Sequence, residues 1–169
     1  DYFIWGSTTP NTKTECSWKS APFNGGSSHY NETYFNSVKD TVCPNGILAK
    51  EYDAAFYATG GKARMPTSDE FQEMYDNTDN EWVEGYNGSG VNGRKFTSKT
   101  DESKYIFIPA AGNCYGGSVY NVGYSGSVWS SSLYASDSLH AWYLYFHSDN
   151  CFIDDDSRCV GLSIRPVIG

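Results

Sequence analysis

The sequence predicts a single α+β domain, with two short helices in its first half and a mainly antiparallel sheet with long loops in its second half. Two observations indicate this division. Helix signals, which are a capping residue followed by apolar residues three and four apart, occur before residue 80. Beyond that point, short β-prone runs alternate with turns rich in Gly, Asn and Ser. A chain of 169 residues without a linker or an internal repeat favours one core, so residues 1–169 are predicted to form one domain.

The first 36 residues carry few signals of regular structure. Residues 1–6, DYFIWG, are apolar and predict a strand already under way, so we expect further residues upstream. Residues 7–36 are polar and rich in turn-forming residues, which predicts loops.

Two helices are predicted next. A short one is expected between Asp53, a typical N-cap, and Gly60, a typical C-terminal residue. A second begins at Thr67, because Thr67 and Glu70 have the spacing of a capping box. Its apolar side chains share one helical face, which we expect to pack in the core: Phe71, Met74 and Tyr75.

The remaining segments predict strands. Residues 81–99 contain two β-prone runs around Asn-Gly turns, which is typical of a hairpin. Residues 105–112 predict a short buried strand. Three more strands are expected at 128–132, 141–147 and 161–167.

The strand AWYLYFH, residues 141–147, indicates which side chains face the core. Because side chains alternate along a strand, Trp142, Leu144 and Phe146 share one side and are predicted to be core residues. The other side would then present an outward row: Tyr143, Tyr145 and His147. A strand buried on both sides is the alternative.

Composition narrows the functional class. The net charge of −8 and the pI near 4.7 argue against a surface for nucleic acid or anionic membranes. Aromatic residues make up 17% of the chain, and 14 Tyr accompany 17 Gly and abundant Ser and Asn. This mixture is typical of recognition surfaces, although a β-rich domain with many turns has it too. No apolar run reaches transmembrane length, and no signal peptide is visible.

Residue usage changes at position 105. Residues 1–104 contain eight Lys, eight Glu, one Gln and two Met, whereas residues 105–169 contain none of these. Strands disfavour Lys and Glu somewhat, but exposed loops normally accept them. Codons that end in a pyrimidine cannot encode Lys, Glu, Gln, Met or Trp, and the only such residues after 104 are Trp129 and Trp142. We therefore hypothesise that this segment is randomised through its codons.

Several motifs support a family resemblance. DYFIWGSTTP, GGKARMPTSDEF, GVNGRKFTSK, IFIPAAG, VWSSSLY, AWYLYF and GLSIRPV occur in this order across nearly the whole chain. In these motifs the chain resembles the repeated domains of gut Bacteroidetes that are named for the Fibrobacter succinogenes major paralogs. The resemblance implies a C-type-lectin-like fold in its formylglycine-generating-enzyme-like form. Some members resemble the variable proteins of diversity-generating retroelements, in which adenine-directed mutagenesis rewrites a C-terminal, receptor-binding surface.

The resemblance implies a variable ligand-binding region over residues 115–163. Its framework would include Trp129, Ser130–Ser132, Trp142, Leu144, Phe146 and Arg165–Val167. The ligand-binding side chains would be Tyr120, Asn121, Tyr124, Ser125, Ser127, Tyr134, Leu139, His140, Tyr143, Tyr145, His147, Asp149, Asn150, Cys151, Phe152, Asp154, Asp155, Asp156, Arg158 and Cys159, together with Val160 and Leu162.

The five cysteines, Cys16, Cys43, Cys114, Cys151 and Cys159, are an odd number without metal-type CxxC spacing. Cys16 with Cys43 and Cys151 with Cys159 are the pairs that could form disulfides, and at least one thiol would remain. Because formylglycine-generating enzymes work through cysteines, Cys151 and Cys159 also keep an oxidase hypothesis open.

Other chemistry is disfavoured. In a strand, the middle carboxylate of Asp154–Asp156 points away from the other two, and no EF-hand spacing is present. The three histidines, His29, His140 and His147, fit no zinc spacing. No Gly-x-Ser-x-Gly elbow supports a serine nucleophile, so the hydroxyls of Ser130–Ser132 are predicted to bond neighbouring loops.

The sequence therefore predicts a non-enzymatic module that needs no metal or cofactor and binds a protein or surface receptor through aromatic anchors. We expect it outside the cell, on a bacterial surface or on a phage particle. The alternatives are a fixed-sequence cell-surface domain that binds glycan or acts structurally, and the oxidase.

Overall fold

A computed structural model describes all residues, 1–169, and shows an α+β protein. Three helices come first: α1 (Glu32–Val42), α2 (Ala54–Ala58) and α3 (Ser68–Asn77). Eight strands follow: β1 (Thr78–Val83), β2 (Gly93–Ser98), β3 (Tyr105–Pro109), β4 (Asn113–Tyr115), β5 (Ser118–Tyr120), β6 (Ser125–Leu133), β7 (His140–His147) and β8 (Cys151–Ser157). They form three sheets with antiparallel neighbours, in the orders β1-β2-β3, β4-β5 and β6-β7-β8.

The two predicted helices are confirmed, and their caps explain where they begin. The Asp53 carboxylate accepts a hydrogen bond from Phe56 N, which starts α2. In α3 the Thr67 hydroxyl accepts from Glu70 N, and the Glu70 carboxylate accepts from Thr67 N. Tyr75 is an exception to the predicted packing, because it is exposed at the outer edge of the stripe.

Helix α1 lies partly in the segment for which the sequence predicted loops. Its signal was present in the sequence but was not used: Phe35, Val38 and Val42 are spaced three and four residues apart and pack against one hydrophobic cluster. Asn31 caps it by accepting a hydrogen bond from Tyr34 N. The number of helices in the first half is therefore three, not two.

The sheet β6-β7-β8 lies between two hydrophobic clusters. On one side, Trp129 and Tyr143 join a cluster that includes Trp5 and Phe35 from the N-terminal half. On the other side, Leu144, Phe146 and Val128 pack with Phe71 of α3 and with Phe96 and Ile108 of the sheet β1-β2-β3. A sheet covered on both sides makes a stiff platform, since its core side chains are close-packed.

The prediction that the β6 serines bond neighbouring segments is confirmed for Ser131 and Ser132, whereas Ser130 bonds to β7 within the same sheet. Ser130 Oγ donates to Trp142 O at 2.7 Å, and Ser131 Oγ donates to Pro66 O at 3.3 Å. Ser132 Oγ accepts from Ser68 N at 3.0 Å, which attaches the start of α3 to the sheet. These buried hydroxyls are therefore structural.

Three predicted strands differ from the structure. Residues 1–6 and 161–167 form only isolated bridges, such as Phe3 with Leu162 and Arg64 with Val167. The strand β3 is present, but Ile108 is its only buried residue, because one side of the sheet β1-β2-β3 faces solvent.

Candidate functional site

One side of the sheet β6-β7-β8 was predicted to face outward, and only part of that side is accessible to solvent. Tyr143 is 9% exposed and packs edge-on against Trp129, with ring centroids 6.0 Å apart. The prediction of an outward Tyr143 is therefore wrong, because the N-terminal half covers this end of β7. Tyr145 and His147, which follow Tyr143 on the same side of β7, are half-buried. The solvent-accessible part of this side therefore begins at Tyr145. Trp142, predicted as core, is also only half-buried.

Strand β8 completes this open area. Antiparallel register places Phe152 beside Tyr145 and Asp154 beside Tyr143. The Tyr145 ring lies 5.2 Å from the Phe152 ring and 5.8 Å from the His147 ring. We call the half-buried side chains Tyr145, His147, Phe152, Asp154 and Asp156 the aromatic–acidic face.

The acidic triplet divides between the two sides of β8, as alternation predicts. Asp155 points away from this face, and its Oδ2 lies 2.8 Å from His140 Nδ1. Asp154 and Asp156 accept hydrogen bonds only from the backbone N–H of the residue that follows each of them. Burial raises the pKa of Tyr143, and the neighbouring carboxylates of Asp156 and Asp154 raise it further, so this end of the face is electronegative.

A second exposed surface lies on the β4-β5 hairpin and the loop that follows it. Gly116 and Gly117 form the turn with positive φ angles of 58° and 89°, which favour glycine in a two-residue hairpin loop. The large side chains exposed here are uncharged: Tyr115, Val119, Tyr120, Val122 and Tyr124. Tyr124 is 78% exposed. We call these five residues the hairpin patch.

The structure separates the twenty predicted ligand-binding residues into three groups. The exposed ones are Tyr120, Asn121, Tyr124, Asp149 and Asn150. The half-buried ones are Tyr134, Leu139, His140, Tyr145, His147, Phe152, Asp154, Asp155 and Asp156. The buried ones are Ser125, Ser127, Tyr143, Cys151, Arg158 and Cys159. Val160 and Leu162 are buried as well.

The six buried side chains correct the predicted surface, because they cannot contact a ligand without a rearrangement of the core. Ser125 and Ser127 lie in β6, which is buried along its whole length. Cys151 and Cys159 belong to the two separate hydrophobic clusters. Sequence reasoning had placed these residues by their position in the implied variable region, and tertiary packing overrides that placement.

Arg158 is the largest correction, since it is completely buried. Its guanidinium carbon lies 3.9 Å from the centre of the Phe35 ring and within 5.8 Å of the rings of Trp5, Trp18 and Tyr30. Its Nε donates to Ser138 O at 2.7 Å, whereas Nη1 and Nη2 have no hydrogen-bond partner. Burial lowers the pKa of Arg158, and the surrounding π faces compensate part of its lost hydration.

All five cysteines are free and buried. The two suggested disulfides are therefore not present, and the contact of Cys16 is instead with Cys114. Both thiols approach the carbonyl oxygen of Thr12, at 3.5 and 4.0 Å. Burial raises the pKa of Cys43 and of Cys151 to about 11, and that of Cys159 to about 12. A thiol with an elevated pKa is a weak nucleophile near neutral pH, because only its thiolate form is reactive.

A pocket of about 360 Å³ lies between the β4-β5 hairpin and the end of β8. Its lining includes Trp18, Asn113, Tyr115, Tyr120 and Asp156. Ser157, Cys159 and Val160 complete the lining. Sequence reasoning identified Tyr120, Asp156, Cys159 and Val160 but missed the other four. The Tyr-Gly-Gly-Ser turn could have indicated the hairpin and so Asn113 and Tyr115, whereas Trp18 comes from a distant loop without a local signal.

The structure brings together no group of three or more His, Cys, Asp or Glu side chains that could hold a metal ion. Its helices are all too short, or too polar, to cross a bilayer.

Comparisons with protein-family models, with curated proteins and with solved structures found no match to this chain. The candidate site is therefore defined by its own geometry.

Proposed function

We propose that this protein is a non-enzymatic binding module that presents the hairpin patch and the aromatic–acidic face to a protein or surface receptor. The observation that carries the proposal is a solvent-exposed, uncharged aromatic surface next to a doubly covered sheet. The chain has no Asp, Glu, Lys or Arg between Tyr105 and Ser136, yet the hairpin patch within it is exposed. Exposed patches of this kind mark interaction sites.

The mixture of side chains also supports binding. Tyrosine provides a large contact area with few rotatable bonds, and Ser, Asn and Asp provide polar specificity. The ring of Tyr145 already contacts the rings of Phe152 and His147, so less side-chain entropy is lost when a partner binds.

We further propose that the domain is a C-type-lectin-like member of the family it resembles, with a surface varied by a diversity-generating retroelement. The change in residue usage at position 105 supports this. The exposed residues Tyr120, Asn121, Tyr124, Asp149 and Asn150 are the positions where variation would leave the core intact. In this proposal the module acts on a bacterial surface or a phage particle.

A fixed-sequence surface domain is the second candidate. Eight implied variable residues are buried, counting Val160 and Leu162, and Arg158 is enclosed by four aromatic rings. This favours fixed side chains at these positions. No comparable observation favours an oxidase. Cys151 and Cys159 lie in different hydrophobic clusters, and burial raises the pKa of each thiol to about 11 and about 12, respectively.

The test is a pair of displayed libraries with pyrimidine-ended codons. The first library randomises the five exposed predicted residues, and the second randomises the six buried ones. We expect most members of the first library to fold and some to bind an unrelated test protein, whereas most members of the second should not fold. Equal loss of folding in both libraries, or a folded first library without binders, would contradict the binding proposal.

The gene distinguishes the two candidates. A nearby copy of its 3′ end that differs only at adenines, beside a reverse transcriptase gene, would establish diversification. Mixed third bases in the codons of residues 105–169 would instead support a fixed sequence.

A further inference from the structure

The pocket between the β4-β5 hairpin and β8 combines aromatic rings with one carboxylate. Tyr115 and Tyr120 are 47% exposed and stand on its hairpin side. Asp156 lies on its β8 side, and Asn113 and Ser157 add an amide and a hydroxyl. Aromatic rings next to a carboxylate are a typical environment for an organic cation, because the π face and the carboxylate are both negative.

Asp156 has no cationic partner within the protein. The three ion pairs join Arg64 with Glu70, Lys104 with Asp101, and His140 with Asp155. Its side chain accepts one hydrogen bond, from Ser157 N at 2.7 Å.

The surroundings of Asp156 leave its negative charge poorly compensated. Burial raises its pKa, the Ser157 N–H and His140 lower it, and Asp154 and Asp155 raise it again. A half-buried carboxylate among like charges gains from an added cation more than a solvated one does.

The aromatic side of the pocket is available to a ligand. Trp18 is already 5.6 Å from the buried guanidinium of Arg158, so it serves mainly as an apolar wall. Tyr115 and Tyr120 have no aromatic or cationic neighbour among the ring contacts of the protein. These two rings are the ones left for an incoming cation.

We propose that this pocket receives the ammonium or guanidinium group of a Lys or Arg side chain presented by a protein partner. The proposal rests on the binding function proposed above and names the chemistry of the partner. The cation contacts Asp156 and lies against the rings of Tyr115 and Tyr120, which share one face of the hairpin. The net charge of −8 attracts such a basic partner.

Charge complementarity favours a basic protein over other occupants. A nucleic acid would place phosphates beside Asp154 and Asp156, which the carboxylates repel. A neutral sugar would use the tyrosine rings but would leave Asp156 without a counter-charge.

The test uses a small cation as the probe. Nα-acetyl-lysine methylamide is titrated into the ¹⁵N-labelled protein, and its Nε-acetylated form, which has no charge, is the matched control. We expect saturable NMR shifts at the backbone amides of Asp156 and Ser157 and at the Trp18 indole N–H. A single side chain predicts a Kd of about 1 mM or weaker. The neutral probe should produce no saturable shift at Asp156.

Substitutions assign the shifts to the pocket. Asp156→Asn should weaken binding about tenfold or more, because it removes a charge-assisted contact. Asp79→Asn removes the same charge from an exposed position of β1 and should leave the Kd unchanged. Tyr120→Leu keeps an apolar side chain without a π face and should weaken binding about threefold.

The proposal is overturned if the charged and neutral probes bind equally, if neither binds, or if Asp156→Asn and Asp79→Asn have the same effect. If the probe fails but the library of exposed residues still yields binders, the pocket has another ligand and the binding function stands. If the lysine probe does not bind but a sugar binds the wild type and Asp156→Asn equally, the ligand of this pocket is a carbohydrate and not a cation.

Discussion

At the scale of single residues, Arg158 shows how tertiary packing changes the meaning of a side chain. Its position in the variable region implied by the resemblance had predicted a surface contact, and arginine is indeed mostly exposed in proteins. The rings around it belong to Trp5, Trp18, Tyr30 and Phe35, which are more than 100 positions earlier in the chain. No local pattern could have indicated an enclosure built from so distant a segment.

Arg158→Ser is expected to destabilise the protein by about 3–5 kcal/mol, because it leaves a cavity among four rings. Arg158→Met fills much of the same volume without a charge and should cost less than about 1.5 kcal/mol. Urea unfolding followed by tryptophan fluorescence measures both. A serine variant as stable as the wild type would show that the side chain is not needed in the core.

At the scale of elements, prediction succeeded where the signal was local. The caps of α2 and α3 are made by side chains within three residues of the groups they bind, so the sequence contains the whole interaction. The alternation of β7 was also correct, but which sides are covered depends on α3 and on the N-terminal half. Tyr143 was misplaced for that reason.

The start of α3 should make stability depend on pH. The bidentate contact with Arg64 lowers the pKa of Glu70 to about 2, and the N–H of Thr67 lowers it too. A pKa lower in the folded state means that the ionised form stabilises the fold. This contribution is complete above the unfolded value of 4.5 and is lost as the pH falls towards about 2.

Glu70→Gln should therefore destabilise the protein near neutral pH, and its difference from the wild type should shrink as the pH falls from about 5 to about 3. Urea midpoints across this range measure the effect, and Asp69→Asn, an exposed carboxylate in the same turn, is the control. Thr67→Ala removes the other half of the cap and should cost about 1 kcal/mol. A constant difference between Glu70→Gln and the wild type at all pH values would contradict the assignment.

At the scale of the whole molecule, the two hydrophobic clusters and the sheet between them determine what the solvent can reach. All five thiols are enclosed by them or by the adjoining loops. The same enclosure leaves the hairpin patch and the aromatic–acidic face as the large uncharged or acidic surfaces near the C-terminal strands.

Native protein should react slowly with an aromatic disulfide reagent near pH 8, and denaturant should release five reactive thiols. For Cys43 and Cys151, a pKa of about 11 lowers the thiolate fraction about a hundredfold relative to an ordinary thiol, before limited access is considered. Absorbance of the released thiolate gives the rate, and mass spectrometry of the labelled peptides gives the position. Rapid reaction of Cys151 or Cys159 in the native protein would restore the oxidase hypothesis.

Residues close together in the chain were enough to predict the α+β class, two of the three helices, the β1-β2 hairpin and the alternation of β7. Tertiary structure decided which positions in 115–163 are surface: it buried Tyr143 and Arg158, exposed the β4-β5 hairpin and added Trp18 to the pocket. The physical reason is that burial depends on which distant segments cover a side chain, and a local pattern does not encode that cover.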